Sequence, residues 1–137
     1  MLDASKKTIL LVEDDQFLAM LLKNRLQKEE FAVTLVGDGN AALRALADTS
    51  PDLLLLDIIL PGPSGFEILE KLRKSDATKQ LPIMIISNLG QDEDVAHGTA
   101  AGVVDYFIKA RTPIETIIER VGAYLANPAE YKKHYTS

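Results

Sequence analysis

Five short runs of apolar residues recur along the chain, and they constrain its fold more than any other feature. Most of the runs are continuous rather than alternating, which is typical of strands that helices cover on both faces of a parallel sheet. The runs are Thr8–Val12, Ala32–Val36, Leu53–Leu56, Ile83–Ile86 and Val103–Ile108. A segment with helical spacing follows each run. Strand and helix therefore alternate five times, which predicts an α/β fold with right-handed crossovers.

The first and last predicted helices have the clearest patterns. The first has leucines at i, i+3, i+4 and i+8, namely Leu18, Leu21, Leu22 and Leu26. The last begins at Thr112-Pro113-Ile114-Glu115, where we expect a capping box with proline at the first helical position. Its predicted apolar stripe consists of Ile114, Ile117, Ile118, Val121 and Leu125.

The strand count and the chain length together predict one domain with a flavodoxin-like, doubly wound (βα)5 architecture. With 137 residues the chain suits a single domain, which we expect to span residues 1–126, with 127–137 as a solvated tail or the start of a linker. The five parallel strands should lie in the order 2-1-3-4-5. Ligands of such sheets bind outside the carboxyl ends of the strands, where the strand order reverses.

Composition excludes several classes of function. The chain carries 20 acidic and 15 basic residues, a net charge of −5, which argues against direct binding to nucleic acid or to anionic membranes. It has no cysteine, so disulfides and thiolate metal sites are excluded. The sequence shows no targeting signal and no apolar run near the ~20 residues of a spanning helix. We therefore expect a cytoplasmic protein.

Polar residues directly follow four of the five predicted strands. Glu13 and Asp14 follow the first, Asp57 the third, Ser87 the fourth and Lys109 the fifth. Strands one and three are neighbours in the predicted order, so the three carboxylates should converge and repel one another unless a cation joins them. Ligands that are all oxygen favour a hard ion, Mg²⁺ or Mn²⁺. Lys109 is expected to pair with these acids or to meet a phosphoryl oxygen, to which Ser87 can donate a hydrogen bond.

This set of residues resembles the receiver domain of two-component response regulators. The matching pieces, in chain order, are Leu11-Val12-Glu13-Asp14-Asp15, Pro51-Asp52 leading to Leu56-Asp57, Leu60-Pro61-Gly62 through Gly65, Pro82 to Ser87, and Asp105-Tyr106-Phe107-Ile108-Lys109. Each piece is weak alone, but their order and spacing together are specific. The match runs from about residue 8 to 126.

The resemblance implies a phosphoacceptor function. Asp57 would take a phosphoryl group from a histidine kinase or a histidine phosphotransfer protein. Glu13, Asp14, Asp57 and the backbone carbonyl of Ile59 would hold Mg²⁺. Lys109 and Ser87 would contact the phosphoryl group.

A switch of the partner-binding surface is also implied. Ser87 would move toward the phosphate, Tyr106 would rotate inward, and an unidentified downstream protein would read the change. No independent metabolic activity is expected, only Mg²⁺-dependent self-phosphorylation and slow autodephosphorylation. A monomer or a weak homodimer is expected, and the chain is either a single-domain regulator or an excised receiver.

Two departures from the family pattern qualify this interpretation. The family commonly has a cis proline after the lysine, whereas Ala110 follows Lys109 here, so we expect either a trans bond with a shifted loop or a strained cis bond. Ile59 and Leu89 are apolar where water would approach the phosphoryl group. We hypothesise that the phosphoaspartate is therefore long-lived.

Two alternatives come from other classes of protein. A receiver-like interaction module working without phosphorylation stays open because of Ala110, although the acids, Ser87 and Lys109 argue against it. A flavin binder would need a loop rich in Ser, Thr and Gly after the first strand, and a phosphatase of the Asp-x-Asp type would need an aspartate at Ile59. Neither requirement is met.

Overall fold

The computed structural model describes residues 6–135 and confirms the predicted alternation of strands and helices. The strands are β1 (Thr8–Val12), β2 (Ala32–Val36), β3 (Leu53–Leu56), β4 (Ile83–Ser87) and β5 (Asp105–Ile108). The helices are α1 (Gln16–Lys28), α2 (Gly39–Asp48), α3 (Gly65–Lys74), α4 (Asp92–Ala100), α5 (Ile114–Ala126) and α6 (Pro128–Tyr135). No helix among the described residues is both long enough and apolar enough to cross a membrane.

All five strands are parallel, and their order in the sheet is β2-β1-β3-β4-β5, as predicted. The register sets the carboxyl ends of the central strands level, since Val12 of β1 lies opposite both Val36 of β2 and Leu56 of β3. The residues that follow β1 and β3 therefore leave the sheet side by side. Two edges of the sheet, β2 and β5, pair on one side only.

Continuous apolar strands are explained by two cores, one on each face of the sheet. Ile9 and Leu11 pack with α1 and α5 on one face, whereas Leu10 and Val12 pack with α2 and α3 on the other. All four leucines of β3 are fully buried. A strand buried on both faces needs apolar residues at every position, because successive side chains point to opposite faces.

Helix α1 confirms one prediction and corrects another. Asp15 is its N-cap and accepts a hydrogen bond from the Leu18 N–H, as its position after β1 predicts. The buried stripe, however, includes Ala19 at 1% exposure in place of the predicted Leu21, which is 37% exposed. Helical spacing predicts which face of the helix is apolar, but the neighbouring elements decide which residues at the edge of that face are buried.

The predicted capping box at the start of α5 is wrong. Pro113 is the N-cap rather than the first helical residue, and no side chain caps this helix. The cause is the backbone of Pro113, whose ψ of 147° is extended and lies outside the helical range. Its carbonyl accepts from the N–H groups of Thr116 and Ile117 and so starts the helix without help from Thr112.

The expectation of a solvated tail after residue 126 is also wrong. Residues 128–135 form α6, and Tyr131 within it is only 2% exposed. Its ring lies edge-on to that of Tyr124 in α5, with 5.5 Å between the ring centroids. A domain boundary at 126 stays a prediction. Residues 1–5 of the predicted domain and residues 136 and 137 of the predicted tail lie outside the described residues.

Candidate functional site

Three carboxylates converge where β1 and β3 end, as their positions in the sequence predict. One carboxylate oxygen from each of Glu13, Asp14 and Asp57 lies within 4.8 Å of the others. Glu13 and Asp57 are each only 3% exposed, whereas Asp14 is exposed to solvent. The pocket therefore has two buried acids and one that faces its mouth.

Lys109 reaches this pocket from the end of β5. Its Nζ lies 2.7 Å from Glu13 Oε1 and 2.8 Å from Asp57 Oδ2, and its side chain is 17% exposed. Burial on its own lowers the pKa of Lys109, but the hydrogen bonds to Asp57 and Glu13 outweigh burial and raise it above its ordinary value. The lysine is thus a fixed positive charge shared by two buried acids.

Three carboxylates face one ammonium in this cluster, and the pKa of Glu13 is raised. Burial is the largest effect on Glu13 and, together with repulsion from Asp57, raises its pKa to about 7, against the lowering effect of Lys109 and of the Asp15 N–H. Glu13 Oε2 accepts that N–H at 3.0 Å. A further cation would favour the charged form of Glu13.

Asp57 is held from two directions. Its Oδ1 accepts hydrogen bonds from the N–H groups of Ile58 (2.7 Å) and Ile59 (3.3 Å), while its Oδ2 accepts from Lys109. The two backbone donors orient the carboxylate and leave Oδ2 on the side of the lysine. The Asp57 carboxylate therefore has a fixed orientation in the pocket.

Gly65 makes the position of Asp57 possible, a role that the sequence reasoning missed. The Gly65 N–H donates to the Ile58 carbonyl at 2.8 Å, and a Cβ placed on Gly65 would lie 2.3 Å from the Asp57 carbonyl oxygen. Helix α3 therefore starts directly against the loop that follows β3. Only the isolated glycine at the start of a predicted helix hinted at this close approach.

Ser87 and Tyr106 are both hydrogen-bonded to the backbone of Leu89. Ser87 is fully buried at the end of β4, and its Oγ accepts from the Leu89 N–H at 3.2 Å. The Leu89 carbonyl in turn accepts from the Tyr106 hydroxyl. Burial, followed by the charges of Asp94 and Asp57, raises the pKa of Tyr106 to about 12, so this hydroxyl remains a donor at neutral pH. The two predicted switch residues are therefore mechanically connected.

The donor set of the pocket fits a hard divalent cation. Its candidate ligands are carboxylate oxygens, and no cysteine exists in the chain. Ile59 follows Asp57 by two residues and exposes 57% of its surface, and a metal-ligand role for its carbonyl stays a prediction. The cluster could hold a metal ion.

The bond between Lys109 and Ala110 is trans, because the described residues contain no cis peptide bond. Of the two alternatives expected from the sequence, the trans bond is the one observed. A turn closes the loop, with the Arg111 N–H donating to the Ile108 carbonyl at 2.9 Å. The lysine thus reaches Glu13 and Asp57 without the cis proline that is common in the family.

Comparison with known proteins agrees with the fold and identifies the family. The family described as "Response regulator receiver domain" matches residues 9–121. The phosphate regulon transcriptional regulatory protein PhoB of Rhizobium meliloti is 38% identical over 117 residues, which cover 85% of this chain and 51% of PhoB. The chain spans about half the length of the curated relatives it matches.

Solved structures give the same result. A putative response regulator from Chloroflexus aurantiacus superposes with a TM-score of 0.81 at 30% identity, covering 90% of this chain and all of that one. The BeF3-activated N-terminal receiver domain of RstA from Klebsiella pneumoniae superposes with a TM-score of 0.78 at 32% identity, covering 87% of this chain and 98% of that one. The chain belongs to the family of response regulator receiver domains.

Proposed function

We propose that this receiver domain accepts a phosphoryl group on Asp57. The observation that carries the proposal is the buried Asp57 carboxylate, fixed by two backbone N–H groups and by Lys109, with Glu13 and Asp14 beside it. A carboxylate is a competent covalent nucleophile. A nucleophile that is held rigidly beside a positive charge suits phosphoryl transfer, in which positioning and electrostatics supply most of the catalysis.

The proposed step transfers phosphorus from nitrogen to oxygen. A carboxylate oxygen of Asp57 bonds to the phosphorus of a phosphohistidine. The P–N bond breaks, and its electron pair leaves with the imidazole nitrogen. Lys109 then contacts one phosphoryl oxygen as a point charge. The Ser87 hydroxyl donates a hydrogen bond to a second phosphoryl oxygen, since its Oγ already accepts a hydrogen bond from the Leu89 N–H.

Mg²⁺ is the proposed cofactor, with Mn²⁺ as a substitute. Asp14 and Asp57 would bind it directly, Glu13 through water, and Ile59 through its carbonyl. When bound, the ion offsets the charge on the transferring phosphoryl group. The raised pKa of Glu13 supports this assignment, because burial and the charge of Asp57 disfavour the ionised form of Glu13, which a bound cation would stabilise.

The proposal includes two protein partners, one that supplies the phosphoryl group and one that binds the altered surface. A histidine kinase or a histidine phosphotransfer protein supplies the phosphoryl group, and a downstream protein reads the surface that Ser87 and Tyr106 alter. The net charge of −5 supports protein partners over direct contact of this chain with nucleic acid. A cytoplasmic location and a monomer or weak homodimer go with this role.

The phosphoryl group is proposed to be long-lived. The resemblance implies that Ile59 and Leu89 flank the route by which water reaches the phosphoryl group, and apolar side chains cannot orient a hydrolytic water by hydrogen bonding. Intact mass measured at intervals after removal of the donor gives the lifetime, and loss of the phosphoryl group within a few seconds would contradict this point.

The experiment is intact mass spectrometry after incubation with acetyl phosphate and Mg²⁺. Wild type and Asp48→Asn should each gain one phosphoryl group, whereas Asp57→Asn should gain none. Asp48 is the matched control because it is an exposed aspartate at the end of α2, outside the pocket. Equal labelling of Asp57→Asn and wild type would reject the assignment. A wild type that gains no mass would favour an interaction module that works without phosphate.

A further inference from the structure

Helix α4 has a glycine at the position where it lies against the sheet. Among residues 92–100 of this helix, all of which the structure describes, Gly98 is the buried one. Glycine in the interior of a helix destabilises it relative to alanine, because glycine loses more conformational freedom on folding. The packing around Gly98 supplies a reason for this cost.

Two side chains of the sheet closely approach Gly98. A Cβ placed on Gly98 would lie 3.1 Å from Tyr106 Cδ2 and 3.1 Å from Ile85 Cδ1. Carbon atoms in favourable contact are about 3.5–4.0 Å apart. A methyl group at this position would therefore force a neighbour to move by a few tenths of an ångström. Glycine lets α4 lie directly against the ring of Tyr106.

Helix α4 and Ile85 are both held in place. Arg73 of α3 donates a hydrogen bond from its Nε to the carbonyl of Ala101, the C-cap of α4, at 2.7 Å. The His97 ring of α4 stacks on the Phe66 ring of α3, with 4.0 Å between the ring centroids. Ile85 is fully buried in β4. The neighbour with the most freedom to move is therefore the ring of Tyr106.

The Tyr106 ring has open space on one side. Its residue is only partly buried, and it lines a groove of about 810 Å³ between α4 and α6, together with Val95 and Thr99. A ring pushed away from Gly98 can turn toward this groove. Such a turn displaces the hydroxyl more than it displaces Cδ2, because the hydroxyl lies farther from the Cα about which the side chain rotates.

The Tyr106 hydroxyl acts on the phosphoacceptor pocket through the backbone of Leu89. The hydroxyl donates to the Leu89 carbonyl, and the Leu89 N–H donates to the Ser87 Oγ at 3.2 Å. The N–H occupies one acceptor position of the Ser87 hydroxyl and leaves its proton for a phosphoryl oxygen. Displacement of the Tyr106 hydroxyl therefore loosens the backbone that orients Ser87.

We propose that Gly98 is a positioning residue for the phosphoryl group on Asp57, and that it acts through Tyr106, Leu89 and Ser87. By leaving room for the Tyr106 ring against α4, it keeps the hydroxyl on the Leu89 carbonyl and Ser87 oriented toward the phosphoryl group. This inference rests on the proposed function and assigns part of it to a residue of α4, outside the carboxylate pocket.

The test measures the binding of beryllofluoride, a mimic of the phosphoryl group, in the presence of Mg²⁺. Gly98→Ala should bind it roughly fivefold more weakly than wild type, at the low end of coupling between sites. Its affinity for Mg²⁺ alone should be unchanged, because the carboxylates are untouched. Gly122→Ala in α5, whose Cβ would have nothing within 4 Å, is the matched control and should bind beryllofluoride as wild type does.

Each contrary result has a distinct meaning. Equal affinity of Gly98→Ala and wild type for beryllofluoride would overturn the role of Gly98 alone. A parallel loss of Mg²⁺ affinity would also overturn it, because the variant would then have damaged the pocket as a whole. No binding by wild type would overturn the assignment of Asp57, and the role of Gly98 with it.

Two further comparisons test whether Gly98 acts through Tyr106. Tyr106→Phe removes the hydroxyl and should weaken beryllofluoride binding, and Gly98→Ala should then add little further loss, whereas independent losses would contradict the shared path. If Gly98→Ala alone is too unstable to titrate, urea denaturation of Tyr106→Ala with and without Gly98→Ala decides the question. Without the ring, alanine should stabilise the helix, and a lower stability of the double variant would contradict the proposed contact.

Discussion

Replacement of Lys109 by methionine tests whether the pocket holds a true excess of buried negative charge. The substitution keeps the length of the side chain and removes the ammonium, which lies 2.7 Å from Glu13 and 2.8 Å from Asp57. At an effective dielectric constant of about 20, two unit charges about 3 Å apart attract by roughly 5 to 6 kcal/mol. The desolvation of three buried ions cancels much of the two attractions.

The net loss can be bounded. Removal of one partner from a buried ion pair typically costs 3–5 kcal/mol. Glu13, whose pKa is already raised to about 7 by burial, can take up a proton at little cost once the lysine is gone. We therefore expect Lys109→Met to lower the free energy of unfolding by about 3 kcal/mol at pH 7, at the low end of that range.

The assay is urea denaturation at pH 7 in EDTA, with Lys79→Met as the matched control. Lys79 also contacts an acid, Asp76 at 3.2 Å, but the two side chains are 52% and 97% exposed, and such pairs contribute about 1 kcal/mol or less. Mg²⁺ should narrow the difference in stability between Lys109→Met and wild type, and should leave the difference between Lys79→Met and wild type unchanged. Equal losses in the two variants would refute the electrostatic description of the pocket.

Three further predictions concern the same pocket. Burial raises the pKa of Glu13 from 4.5 to about 7, so the folded state holds this proton more tightly than the unfolded state does. Without divalent cations, the stability that this group contributes should therefore fall as pH rises from about 4.5 to 7. Urea titrations at both ends of that window should show the fall in wild type and lack it in Glu13→Gln. Asp14→Asn should weaken Mg²⁺ binding by calorimetry at least roughly tenfold, the low end of what loss of even an outer-shell partner costs, and an unchanged affinity would remove Asp14 from the ligand set. Gly65→Ala should unfold at a markedly lower urea concentration than wild type, because its Cβ would lie 2.3 Å from the Asp57 carbonyl oxygen. Gly122→Ala in α5, whose Cβ would have nothing within 4 Å, should instead be stabilised by about 0.4–1 kcal/mol. A tolerated Gly65→Ala would show that the close approach is not needed.

The pocket could be predicted from the sequence because it depends on a topological rule. Continuous apolar runs identified the strands, the strand order placed the ends of β1 and β3 together, and Glu13 and Asp57 stand at those ends. Lys109 followed from the same rule applied to β5. Such residues are fixed by the backbone register, which apolar patterning specifies strongly.

Features that depend on long-range contacts between side chains could not be predicted in this way. Tyr131 belongs to a segment of eight residues that has no helical stripe of its own, and its partner Asp105 lies 26 residues earlier. Nothing in the sequence around Tyr131 or Asp105 indicates that this hydroxyl and this carboxylate form a hydrogen bond. The role of Gly65 was hidden for a similar reason, since it arises from the carbonyl of Asp57 in another element.

The identity of the phosphorylated residue is the most direct test of the whole account. The chain is treated with acetyl phosphate and Mg²⁺, the acyl phosphate is reduced with borohydride to homoserine, and tandem mass spectrometry locates the reduced residue. Homoserine at position 57, absent when EDTA replaces Mg²⁺, is the predicted result. Homoserine at any other aspartate, or at none, would contradict the claim that Asp57 is the phosphoacceptor.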